Sequence, residues 1–457
     1  MTFKPFEHQT ETTNFILSKK RCFVASDPGT GKTRSCLDAI NQIKGKTLVL
    51  APLSILQPSW GNDCETFTPD EEYVIAYAKN RAKAFNSSAD IYITNHDAVK
   101  WIEQQLKKDS EFLKGFTALI IDECVAFKNN TSQRSKALRN ISEHFEYIVE
   151  MSGTLNSNSV LDTWHPTFIL DRGHRLGPNY FKFRSQVCEK VQVGPQPQMC
   201  EWRPRPEATE NVGALLSDIT IRHTLEDCID IPERTTRHMY VELPNKIKKL
   251  YEEFERDSIL LTEQGVVNAV NAGARAQKLL QLCTGAIYDE MGDAHFIHTQ
   301  RYELVIDLIQ ERVTPSLVAF NWKHERKALV ELAEKQGISY AVIDGEVSIS
   351  KRNDIVKEFA AGNIQVLFAH PQSAAHGLTF TKAKTTIWSS PTYRGEWFQQ
   401  FNRRTYRAGQ TDKTEVILIT ASGTREEQVY EVLDQKLSDM EVLQQIFSAN
   451  TKYAEVI

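Results

Sequence analysis

The sequence predicts an α/β protein of two lobes, each a parallel sheet with helices packed on its faces and each carrying a helical insertion. Three observations carry this. The chain of 457 residues exceeds what one compact core fills and suits two or three domains. In two separate regions short apolar runs alternate with amphipathic helical patterns, as strand–helix–strand crossovers require. In the first region an apolar strand runs straight into SDPGTGKTRS, Ser26–Ser35, a glycine-rich turn placed ahead of a helix.

In chain order, the first region reads as strands at Cys22–Ala25, Thr47–Ala51, Ile91–Thr94, Ala118–Ile121 and Tyr147–Met151. Helices are expected at Thr33–Gln42, near Ile55–Phe67 and at Ser132–Ile141. In the second region the strands are Leu317–Phe320, Tyr340–Ile343, Gln365–Ala369, Thr385–Trp388 and Glu415–Thr420. Its helices cover Glu325–Lys335, Lys351–Phe359, Trp397–Arg404 and Glu426–Leu437. Residues 156–230, rich in aromatics, Pro and Arg, and the helical stretch 245–300 read as insertions. The lobe boundary falls at Ile231-Pro232, dividing the chain into lobes 1–230 and 231–457.

Composition excludes several classes. Hydrophobic residues make up 41% and charged residues 25%, with no repetitive tract. No apolar run reaches the roughly 18 residues of a membrane span, and MTFKPFEHQT lacks the apolar core of a secretion signal, so a cytoplasmic protein is expected. Eight cysteines are scattered without a C-x-x-C pair, which speaks against zinc and disulfides. The net charge of −5 neither requires nor forbids a nucleic-acid partner, because a few amides, hydroxyls and lysines suffice to hold a phosphate backbone.

The turn has the parts of a phosphate cradle. Gly29 and Gly31 allow close backbone approach, the amides of Asp27, Pro28-flanked Gly29, Thr30 and Gly31 can surround phosphates, Lys32 reaches the β/γ-phosphates, and Thr33 is placed for Mg²⁺. Ser26 stands where the motif has its first glycine; it leaves the strand away from the tightest turn, so serine and glycine should serve alike. About 90 residues on, ALIIDE ends an apolar strand in two carboxylates. Asp122 is expected to hold the metal and Glu123 to polarise the attacking water. Downstream, QQFNRRTYRAGQ places Gln400, Arg404 and Arg407 at i, i+4 and i+7 of one helix. Alone that describes a solvated basic face; beside a phosphate loop it also describes arginine fingers.

The order of motifs resembles a superfamily 2 helicase of the Snf2-like group, over nearly the whole chain. KPFEHQ, TLVLAPLSILQPSW, ITNHDAVK, IIDECVAFKN, MSGTLNSNS, LVAFNWKHE, YAVIDGEVSISKR, AAHGLTFTKA and QQFNRRTYRAGQ follow one another as in that group, and RHTLEDCIDIPER resembles its segment between lobes. Val125 stands where the group has a histidine, and Tyr406 likewise in the last motif. The resemblance implies two RecA-like lobes, ATP with Mg²⁺, and Gln9 as the adenine-reading residue. It implies DNA contacts at Pro52, Ser54, Thr94, Asn95 and His96 in the first lobe and at Lys323, Ser373, His376 and Gly377 in the second. The expected activity is a DNA-dependent ATPase that translocates and unwinds or remodels forked or branched DNA in replication, recombination or repair, as a compact bacterial or phage-type monomer. A duplex translocase that separates no strands, and an ATP-clamped regulatory module, are the alternatives. Trp164, Tyr180, Phe181, Phe183 and Trp202 suit a small core of the first insertion better than a base-stacking platform.

Overall fold

The computed structural model describes residues 4–193, 199–257, 259–262, 265–268, 272–289, 291–374 and 378–454. The chain divides into two units, Met1–Asp230 with Lys436–Ile457, and Ile231–Gln435.

In the first unit the strands are Arg21–Val24 (β1), Lys46–Ala51 (β2), Tyr73–Ile75 (β3), Ile91–Asn95 (β4), Phe116–Asp122 (β5) and Tyr147–Met151 (β6). Cys188–Gln192 (β7) and Cys200–Pro204 (β8) form a separate antiparallel hairpin, and Thr220–Ile221 (β9) returns to the main sheet. That sheet has seven strands in the order β3-β4-β2-β5-β6-β1-β9, with every neighbouring pair parallel. Its strands are apolar on both faces because helices cover both. Phe23, Leu48, Leu50, Leu119, Ile121 and Ile148 fill one core, and Cys22, Val24, Val49, Ile120, Val149 and Met151 fill the other. The loops at the carboxyl ends of parallel strands form the crevice where ligands bind in such sheets.

In the second unit Arg234–Val241 (β10) is followed by two small hairpins, Ile259–Thr262 (β11) with Gly265–Asn268 (β12), and Ala286–Tyr288 (β13) with Ala294–Phe296 (β14). Then come Ser316–Ala319 (β15), Tyr340–Ile343 (β16), Val366–Ala369 (β17), Thr385–Trp388 (β18) and Thr414–Ala421 (β19). The six-stranded sheet runs β10-β19-β18-β15-β17-β16, all parallel. Val318, Phe320, Phe368, Ile387 and Ile417 pack there with Tyr302, Val305 and Leu329 from flanking helices.

The expected fold class is the observed one; the edge strand β3 and the hairpins β11–β14 add to the expected elements, and three further differences concern the lobes. First, β9 belongs to the central sheet, although residues 156–230 read as an insertion throughout; a two-residue strand leaves no periodic signal. Second, β10 joins the second sheet as an edge strand that leaves no pattern in the sequence, because RTTRHMYV is largely exposed and shows no apolar run. Third, the last helix continues from Arg425 to Ala454, past the expected end at Leu437, and 436–457 belongs to the first unit rather than to lobe 231–457. Leu443 and Phe447 are 1% exposed in the first unit's core, and Gln444 Nε2 donates to the Gly153 carbonyl at 3.0 Å.

Candidate functional site

The turn after β1 closes on the helix Lys32–Ile40. Gly29 and Gly31 have φ of 93° and 83°, the left-handed region that favours glycine. A Cβ on Gly31 would lie 2.1 Å from Gln9 Nε2, so the close approach of Gln9 depends on that glycine. Gln9 Nε2 donates to the Thr30 carbonyl at 3.3 Å and its Oε1 accepts from the Phe6 amide at 3.1 Å. Lys32 Nζ donates to the carbonyls of Ser26 (2.8 Å) and Asp27 (3.1 Å). Burial lowers the Lys32 pKa, opposed by the charges of Glu123, Asp122 and Asp27. Thr33 lies in the first turn of the helix, whose amino-terminal N–H groups suit an anion.

The start of the loop is fastened to the segment after β9. Arg222 Nη2 reaches Asp27 Oδ1 at 2.7 Å, Arg222 Nη1 donates to the Ala25 carbonyl at 2.6 Å, and the Leu225 amide donates to Asp27 Oδ2 at 3.2 Å. Ser26 Oγ accepts from the His223 amide at 3.0 Å. The expectation that serine and glycine are equivalent at position 26 is therefore corrected: the hydroxyl has a specific donor. Sequence reasoning missed Arg222 and His223; the signal available was an acidic residue inside a phosphate loop, which needs a cationic partner when buried.

At the end of β5, Asp122 Oδ2 accepts from Trp60 Nε1 at 2.9 Å, and the Asp122 carbonyl accepts from His96 Nε2 at 2.7 Å. Burial raises the Asp122 pKa, opposed by the Trp60 bond and by Lys32. Glu123 follows with φ 55° and ψ 58°, a left-handed conformation that a non-glycine residue adopts only when its surroundings enforce it. Trp60, fully buried, is a third residue that sequence reasoning left without a role at this site.

The first-unit residues expected to touch DNA separate into two groups. Pro52, Ser54 and Asn95 are partly exposed at the ends of β2 and β4. Thr94 is fully buried, donating to the Ala76 carbonyl, and His96 is 8% exposed and turned onto Asp122. These two side chains face inward, which corrects the expectation of direct contact. Their strand-end positions follow the motif, but both faces of β4 are covered, and Thr94 turns its hydroxyl to the Ala76 carbonyl. Of the basic residues after β5, Lys128 bonds Ser157 and Asp162, and Arg134 bonds the Ala126 carbonyl.

In the second unit the helix bearing Gln400 runs only from Gly395 to Asn402, so Arg404 and Arg407 lie beyond it rather than along its face. The backbone leaves the helix because the Arg404 carbonyl accepts from the Phe380 amide, and Gln410 Nε2 binds the carbonyls of Thr381, Ala383 and Thr405. The turn still brings both arginines together: each donates through Nη1 to the Leu378 carbonyl, at 3.0 and 3.1 Å. Lys323 is exposed at the start of the helix Lys323–Lys335, with Glu346 at 3.6 Å, and Ser373 is half-buried in Pro371–Ala374. His376 and Gly377 lie outside the described residues.

The aromatics of the first insertion divide as well. Trp164 and Phe183 are 4% and 3% exposed but join the core of the central sheet rather than forming a small core of the insertion, whereas Phe181 is 65% exposed. The Arg184 guanidinium lies over Trp202 at 4.2 Å and over Phe181 at 5.3 Å.

A strand–glycine turn–helix with its lysine, an apolar strand ending in Asp-Glu and a second parallel-sheet unit with paired arginines define a nucleoside triphosphatase of the superfamily 2 helicase class. The chain belongs to the SNF2-related domain family, which matches residues 8–285, and the helicase conserved C-terminal domain matches residues 300–409. It is 28% identical over 466 aligned positions to protein p41 of Acyrthosiphon pisum secondary endosymbiont phage 1, covering 97% of this chain and 98% of that one. It is 24% identical to an uncharacterised ATP-dependent helicase of Mycoplasma genitalium, covering 90% of this chain but 39% of the relative. A Caenorhabditis elegans homologue of SWI/SNF-related matrix-associated actin-dependent regulator of chromatin subfamily A-like protein 1 is 22% identical, covering 94% and 61%. The solved SWI2/SNF2 ATPase core of Sulfolobus solfataricus in complex with dsDNA aligns at 19% identity and TM-score 0.43, covering 99% of this chain and 95% of that one. Among the described residues no helix is long and apolar enough to cross a membrane.

Proposed function

We propose that this chain is a DNA-stimulated ATPase motor that translocates on DNA and unwinds or remodels forked or branched structures. The observation that carries the reading is the row of loops at the carboxyl ends of one parallel sheet: the phosphate turn after β1, Asp122-Glu123 after β5, and Pro52, Ser54 and Asn95 after β2 and β4. ATP hydrolysis and a polynucleotide track would then share one rigid sheet.

In this reading Lys32 leaves the Ser26 and Asp27 carbonyls for phosphate oxygens, Gln9 reads the adenine, and Glu123 orients the attacking water. The two left-handed glycines and the free amino end of the helix fit a polyphosphate. Thr33 and Asp122 offer the hard oxygen donors that suit Mg²⁺, which when bound would neutralise developing phosphate charge. Arg404 and Arg407 would bring positive charge to the transferring phosphoryl group, and Lys323 and Ser373 would hold the backbone of the tracked strand.

Strand separation needs an element that blocks the second strand, because each opened step must overcome stacking of roughly 1.4 kcal/mol. The β7–β8 hairpin, whose Trp202 lies under the Arg184 guanidinium with Phe181 on the same cation, supports placing that element in the first insertion. The test is ATP-driven strand separation on forked and blunt duplexes of identical sequence, alongside ATPase with and without DNA. Fork-selective unwinding is expected. DNA-stimulated ATPase without strand separation on either substrate would replace this reading with a duplex translocase, and ATPase indifferent to DNA would overturn it.

A further inference from the structure

We infer that His96 is a positioning residue that transmits the state of the β4 end loop to the hydrolytic carboxylates. The inference rests on the DNA-stimulated reading above. In the sheet β4 is separated from β5 by β2, with Leu50 opposite both Thr94 and Ile121. His96 spans this gap at the strand ends, and its Nε2 donates to the Asp122 carbonyl at 2.7 Å. That carbonyl belongs to the peptide linking Asp122 to Glu123, and Glu123 is the residue with φ 55°. A displacement of the β4 end is thus applied to the peptide that joins the two carboxylate residues.

Three features make this contact more than a packing detail. Asn95, the adjacent residue, is partly exposed and accepts from Arg81 Nη2 at 3.0 Å, so the same loop has an outward and an inward hand. The ring is fixed edge-on to Phe127, centroids 5.2 Å apart, within the 3₁₀ turn Cys124–Phe127 that follows Glu123. Trp60 holds the Asp122 side chain from the segment after β2, so the His96 bond is the matching hold on its main chain. Because the carbonyl oxygen can only accept, Nε2 is the donor of this bond. A glutamine, whose amide also donates, can therefore stand in for it.

The experiment compares wild type, His96→Ala and His96→Gln by ATP turnover across ATP and DNA concentrations, with DNA affinity measured by anisotropy and folding by thermal melting. For His96→Ala, kcat at saturating DNA should fall about tenfold, the equivalent of one positioning hydrogen bond, and the ratio of DNA-saturated to DNA-free turnover should fall by a similar factor. KM for ATP and Kd for DNA should stay within about twofold, and His96→Gln should recover most of the ratio. Wild-type stimulation in His96→Ala would overturn the inference. So would weakened DNA affinity at unchanged kcat, which marks a direct contact, or an equal loss with and without DNA in both variants, which marks a fold role. A wild type not stimulated by DNA would overturn the motor reading itself, and this inference with it.

Discussion

Arg222 and Asp27 form a buried ion pair, Nη2 to Oδ1 at 2.7 Å, with side chains only 3% and 4% exposed. It ties the start of the phosphate loop to the segment after β9, almost 200 residues away in sequence. Removing one partner of such a pair leaves an uncompensated buried charge. Arg222→Ala should therefore destabilise the first unit by roughly 3–5 kcal/mol and raise KM for ATP. Chemical denaturation and ATPase kinetics check both; an unchanged midpoint would show that the pair contributes nothing.

Ser26→Gly removes the acceptor of the His223 amide and adds backbone freedom. A loss of about 1 kcal/mol is expected, with hydrolysis retained at high ATP. Denaturant titration is the measurement. Equal stability of the two proteins would return position 26 to the simple interchangeability read from sequence.

Lys32→Ala should abolish turnover while DNA binding persists, since the ammonium lies at the phosphate turn and not on the partly exposed loops after β2 and β4. Glu123→Gln keeps the shape but loses the base, so hydrolysis should fall about 10²–10⁴-fold with ATP still bound. Loss of DNA binding in the first variant, or normal turnover in the second, would contradict the assigned roles.

Arg404→Ala or Arg407→Ala should lower turnover on the order of 10³-fold if either is a finger, with ATP affinity changed much less. Both side chains converge on the Leu378 carbonyl, so a purely structural role predicts a drop in melting temperature without a selective kcat effect. Measuring the two quantities together separates these outcomes.

Glu150 on β6 is 1% exposed beside the Cys124 thiol, and burial holds its carboxyl pKa well above the ordinary 4.5. The folded state therefore keeps a proton that the unfolded state releases, and stability falls as pH rises from the ordinary carboxylate pKa toward the raised one. Glu150→Gln cannot ionise. It should gain on wild type by on the order of 1 kcal/mol or more at neutral pH, with the gain vanishing below about pH 4. Denaturation across that range checks the slope; parallel curves would place Glu150 in contact with a charge-stabilising group.

What the sequence determined by itself is local. Short apolar runs give the central strands of both sheets, though not β3, β9 or β10, and Gly29, Gly31, Lys32, Thr33 and the pair Asp122-Glu123 stand at strand ends because their motifs specify the turns they occupy. A strand's apolar run and a turn's glycine are requirements of the adjacent few residues, so they can be read there. Partner choice is different. That Asp27 needs Arg222, that Trp60 and His96 close on Asp122 from beyond β2, and that Leu443 and Phe447 belong to the first unit were settled only by the tertiary structure. These contacts join residues far apart in sequence, and each was decided by the need to satisfy a buried charge, carbonyl or apolar side chain once the sheet had assembled. The same cause turned Thr94 and His96 inward and moved Arg404 and Arg407 off the expected helix: spacing fixed their order, and the hydrogen-bond demands of the packed interior fixed where they point.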